Sequence, residues 1–124
     1  MTPQLTPQEL GIHGEKVAEK HLMSLGYRIL NRNWRWRRGE MDLITEQGDE
    51  IVFVEVKARR SQTYGLPEES ITRSKQQKLI QTAYAYLSSE NRDDAEWRID
   101  VIAIDMEQDG NVIRLEHIIS AVEG

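Results

Sequence analysis

Cysteine is missing from the 124 residues, so no disulfide can form. There is also no signal peptide and no apolar segment long enough to cross a bilayer, so a soluble, cytoplasmic chain without a membrane partner is expected. Internal repeats, low-complexity tracts and linkers are lacking too, which leaves residues 1–124 as a single domain. At that length it can bury about two-thirds of its unfolded surface without staples. Net positive charge is absent as well: the formal charge of -5 argues against a general, charge-driven grip on nucleic acid. The charges are unevenly spread, with Arg28, Arg32, Arg35, Arg37 and Arg38 in one short stretch and much of the acid between Glu90 and Glu123. The histidines, His13, His21 and His117, show no metal-ligand spacing and no partner nucleophile, and no role is assigned to them.

What is present centres on Gly39 to Arg60, GEMDLITEQGDEIVFVEVKARR, which reads as two strands of a hairpin. Gly48-Asp49 suits a two-residue type II′ turn. Counting back from that turn, Gln47 pairs with Glu50, Asp42 with Glu55 and Glu40 with Lys57. Ile51 to Val56 is apolar on both faces apart from Glu55, as expected of a central strand covered on both sides. Directly opposed side chains lie roughly 4.5 to 5.5 Å apart on one face, so Asp42 and Glu55 would repel and be costly to bury. A divalent cation between them would turn that penalty into a binding site, and oxygen ligands without Cys or nearby His point to Mg2+ or Mn2+. The alternative is a structural ion pair in which Lys57 bridges the two acids. A three-residue turn would separate Asp42 and Glu55 onto opposite faces.

Thr6-Pro7-Gln8-Glu9 predicts a helix start with a capping box, and Gly26 a stop. Leu10, Val17, Ala18, Leu22 and Leu25 form its apolar stripe, and Glu15 lies on that stripe as either a ligand or an edge residue. Gly11 and Gly14 permit close approach to whatever lies beneath. A first strand is expected over 27–36, where alternating Trp34, Arg35, Trp36 and Arg37 offer aromatic and cationic faces suited to nucleic acid, or an indole core with a solvated arginine face. Ser61 to Glu69 is a polar loop that could close over a site. Ser70 or Thr72 caps a second helix running to about Leu87, whose stripe of Leu79, Ile80, Ala83, Tyr86 and Leu87 points Gln76 inward, as a site residue or as an amide capping backbone. Arg73, Lys75 and Lys78 form a basic flank. Strands over 97–105 and 112–118, joined by Asp109-Gly110, complete the chain.

With GEMDLI, then VFVEVKARR, a helix near Lys75 and a strand beginning Arg-Ile-Asp-Val, the chain resembles the YraN family of small bacterial proteins from about Gly14 to Ile118. It also resembles the PD-(D/E)XK nuclease superfamily, although Met41 stands where that name expects proline, and is similar to archaeal Holliday junction resolvases. The resemblance implies an α/β, restriction-endonuclease-like fold: a mixed sheet flanked by helices, in the order helix, three strands, helix, two strands. It implies a metal-dependent nuclease in which Asp42, Glu55, Glu15 and the Val56 carbonyl hold Mg2+ or Mn2+, with Lys57 and Gln76 as further catalytic residues. Arg38, Arg59, Arg60 and Trp36 would contact nucleic acid, DNA ahead of RNA and branched DNA in particular, and a homodimer would suit a junction. Its rivals are a binding module without turnover and a dimeric interaction protein that keeps a nuclease-like fold.

Overall fold

The computed structural model describes residues 4–60 and 71–122. Thr6 accepts from Glu9 N–H while the Glu9 side chain accepts from Thr6 N–H, closing the capping box that starts α1 (Pro7–Ser24). Strands β1 (Arg28–Trp36), β2 (Gly39–Gln47) and β3 (Glu50–Arg60) follow, then α2 (Arg73–Ser89) capped by Thr72, then β4 (Glu96–Met106) and β5 (Val112–Val122). This is the expected helix, three strands, helix, two strands.

The strands form one five-stranded sheet in the order β1-β2-β3-β4-β5. Every neighbour pair is antiparallel except β3 and β4, which run parallel with α2 as the crossover between them. The central strand β3 is covered on both faces. Val52 and Val54 join Leu10, Ala18 and Leu22 beneath α1, and Ile51 and Phe53 join Leu79, Ala83 and Tyr86 beneath α2. Gly14 lets α1 sit directly on β3, because a Cβ there would stand 2.5 Å from that of Ala58. Gly11 meets nothing within 4 Å, so only one of the two expected close approaches exists. Leu25 is a second correction: it caps α1 and is 53% exposed, since the chain has already turned away from the core at Gly26.

Gly48 takes φ +59 at the β2–β3 turn, and Gln47 faces Glu50 as counted from the sequence. The counted pairs Asp42–Glu55 and Glu40–Lys57 are not ladder partners, because the ladder holds only as far as Leu43 and Val54. Beyond that pair the regular alternation fails in both neighbouring strands. Arg32 reaches Glu19 of α1, whereas Trp34, two residues on, packs edge-to-face on Tyr86 of α2. Likewise Leu43 lies beneath α1 and Met41 beneath α2. Asn33, with φ 49, marks the reversal in β1, and Asp42 stands at the same level in β2.

β5 runs four residues past its expected end at Ile118, through a bulge opposite Asp100: Ile99 pairs with Val122 and Val101 with Ile118. Ser120 adopts φ 52 in that bulge and donates its N–H to Asp100 Oδ1 at 3.0 Å. None of the helices among the described residues is long and apolar enough to cross a membrane.

Candidate active site

Where the β2–β3 ladder ends, the Val56 N–H has no strand carbonyl opposite it in β2, and it donates instead to Asp42 Oδ2 at 2.8 Å. The irregularity that breaks the strand pairing therefore fixes a carboxyl group. Glu55, from the preceding position of β3, is 7% exposed and hydrogen-bonds to Asp42 through its side chain. Burial, that hydrogen bond and the nearby Glu55 charge push the Asp42 carboxyl up to about 9, against the pull of the Val56 N–H. The buried pair therefore favours retaining a proton.

These groups open into a cavity of about 330 Å3 that Val56, Lys57, Lys75 and Lys78 also line. Lys75 Nζ lies 3.2 Å from Glu55 Oε2. Lys57 is lowered from its ordinary pKa by burial and by Lys75 beside it, which together outweigh the attraction of Glu55 and Asp42. Lys75 moves the other way: burial opposes its charge, but Lys57, Glu55 and Asp42 raise it. Two lysines thus stand side by side, one made less basic and the other more so.

The remaining sequence-predicted residues fall around this cavity. Glu15 lines an adjacent groove between α1 and β1, where burial raises its carboxyl pKa, Asn33 opposes the rise, and Glu40 and Glu55 add to it. Gln76 turns its amide to the Ile71 carbonyl at 3.2 Å, at the start of α2. Trp36 donates its indole N–H to Thr82 at 3.0 Å, next to the cavity wall. Arg38 is exposed in the β1–β2 turn. Arg59 pairs with Asp105 at 3.1 Å and Arg60 donates to the Leu5 carbonyl at 2.6 Å. The polar loop expected over Ser61 to Glu69 lies outside the described residues.

Lys75 is the cavity residue that the sequence did not single out. The signal was its position four residues before the buried Leu79, which puts it on the inward side of the basic flank. The donor set fits a small hard cation: two carboxyl groups in contact, a backbone segment beside them, and a proton that an ion would replace. Among the described residues no group of three His, Cys, Asp or Glu side chains is arranged to hold a metal.

A second buried acid gives the contrast. Asp100 is fully buried, yet it accepts from Arg98 at 3.0 Å, His117 at 2.8 Å and the Ser120 N–H. Burial alone would raise its pKa, but these bonds outweigh it and hold the carboxyl below the ordinary range.

Residues 14–104 match the family described as "Uncharacterised protein family UPF0102". A UPF0102 protein of Chloroflexus aurantiacus is 46% identical over 119 residues, spanning 94% of this chain and 96% of its own. One from Pelotomaculum thermopropionicum is 45% identical over 87% of this chain and 90% of its own, and one from Chlorobaculum tepidum 47% identical over 79% and 76%. Among solved structures, "The structure of Pyrococcus Furiosus SfsA in complex with Ca2+" is similar with a TM-score of 0.43 and 18% identity over 85% of this chain, which spans 62% of that one. On the strength of the family match and these relatives, the chain belongs to the UPF0102 family, the YraN-like group that its motifs resemble.

Proposed function

We propose that this protein is a nuclease of the PD-(D/E)XK type, which hydrolyses phosphodiester bonds in nucleic acid with the help of Mg2+ or Mn2+. Branched DNA is its favoured substrate class. The observation that carries this reading is the buried Asp42–Glu55 pair. Two carboxyl groups are held in contact, one kept protonated, in a cavity they share with two lysines. A fold gains little from such a pair, whereas a cation site requires one.

Asp42 and Glu55, with the Val56 carbonyl, would hold the ion. When bound, it would acidify the attacking water and neutralise charge on the transferring phosphoryl. The Val56 N–H fixes Asp42 so that little reorganisation is needed. Lys57, made less basic by burial and by Lys75, accepts the proton of the water at its Nζ. Lys75, whose charge Lys57, Glu55 and Asp42 favour, would face the phosphoryl oxygens, whereas the Gln76 amide is turned to the Ile71 carbonyl. Glu15, one groove away, adds negative charge that helps to retain the ion. Arg38 reaches flanking phosphates from the exposed turn, and Trp36 presents the edge of its indole beside them. Arg59 and Arg60 would have to exchange their present partners to join.

The test is cleavage of labelled duplex, single strand, flap, four-way junction and RNA with Mg2+ or Mn2+, comparing wild type with Glu55→Gln. Metal-dependent cutting that disappears in the variant supports the proposal and names the substrate. Binding without cutting by either protein would leave a non-catalytic nucleic-acid module. If neither binds, the dimeric interaction protein becomes the better reading.

A further inference from the structure

A second set of polar groups lies beneath α1, at the end of that helix and on the neighbouring β5. His117 Nε2 stands 2.8 Å from Asp100 Oδ2, and Asp100 is itself anchored by Arg98 and the Ser120 N–H. With Nε2 donating to that carboxylate, the Nδ1 of His117 carries the lone pair. It faces His21 Nε2 at 3.2 Å. The two nitrogens are within hydrogen-bond distance, slightly closer than the roughly 3.3–3.4 Å that separates two ligands bound to one tetrahedral ion at about 2.0–2.1 Å, so a small movement of either ring would let both face one metal.

We propose that His21 Nε2 and His117 Nδ1 form a binding site for a divalent d-block cation, Zn2+ foremost, with Asp100 as the carboxylate that orients His117. The arrangement of a ligating imidazole whose other nitrogen is held by a buried carboxylate is the one that fixes histidine ligands in metal centres. His21 sits in the last turn of α1, where the helix dipole favours positive charge. The His117 side chain is only 10% exposed, so water would reach the remaining positions from the side of the partly exposed His21. The ion displaces the single proton now held between the two nitrogens and ties the end of α1 to β5. Imidazole selects Zn2+ or Cu2+, whereas the Asp42–Glu55 pair selects Mg2+ or Mn2+, so the two sites would fill independently.

The experiment is calorimetric titration of the full chain with Zn2+ in excess Mg2+, repeated with Co2+ while following the visible bands of tetrahedral cobalt. Wild type, His21→Gln, His117→Gln, Asp100→Asn and Glu55→Gln are compared, with circular dichroism as the folding check. The expected result is one Zn2+ per chain, lost in both histidine variants, weakened about 10–100-fold in Asp100→Asn and unchanged in Glu55→Gln. His21 is half-exposed and bonds no buried acid, so its variant decides the matter even if His117→Gln does not fold. Wild type that binds no Zn2+, or binds it as tightly after His21→Gln, overturns the proposal.

Discussion

Asp42 and Asp100 show how one residue type acquires two chemistries. Each accepts a backbone N–H where a β-ladder breaks, Asp42 from Val56 and Asp100 from Ser120. Asp100 then gains Arg98 and His117, whereas Asp42 gains another acid. Asp42, with a pKa pushed up to about 9 from the ordinary 3.8, binds a proton in the folded state that the unfolded chain has released. Without metal, its contribution to stability is therefore full below about pH 4 and is lost as pH rises towards 9. Urea unfolding at a series of pH values should show this decline, and Asp42→Asn should flatten it. For Asp100 the sign is opposite, since its stabilising charge is present above the ordinary carboxylate range and lost on acidification. Asp100→Asn should cost about 1–3 kcal/mol by the same urea measurement, because Arg98 and His117 lose their shared buried carboxylate while Arg98 keeps Glu50. Asp42, Glu55 and Lys57 were legible in the sequence, as charges set among apolar residues. Lys75 was not, because it lies in a basic flank and only its spacing to Leu79 marks it. The His21–His117 contact spans 96 positions, which no local spacing can reveal.

At the scale of elements, the sequence was most readable where local chemistry decides. The capping box, the two-residue turn at Gly48-Asp49 and the switch from strand to helix periodicity each rest on a few neighbouring residues, and each is found where the sequence placed it. It was least readable where tertiary contacts bend an element. The face reversal at Asn33 and Asp42 spoils the alternation of β1, and the bulge at Ser120 hides the last residues of β5. The two glycines of α1 look alike in the sequence but not in the fold. Gly14→Ala should destabilise the protein by about 1–3 kcal/mol, since its methyl group would press on Ala58. Gly11→Ala should stabilise it by about 0.5–1 kcal/mol, because the space is open and the unfolded chain loses freedom. Denaturant midpoints of the two variants should move in opposite directions.

For the molecule as a whole, the element order and the central position of β3 were legible because a strand apolar on both faces needs a layer on each side. The same requirement makes a carboxyl pair inside that sheet expensive, a cost that a divalent cation would offset under the proposed function. Isothermal calorimetry of Mn2+ binding near pH 7.5, run in two buffers of different ionisation enthalpy, measures affinity and proton release together. Binding should release about one proton per ion, the one that Asp42 holds, and Asp42→Asn should abolish both the release and the tight binding. No binding, binding without proton release, or binding that Asp42→Asn leaves unchanged would rule out a cation at the Asp42–Glu55 pair.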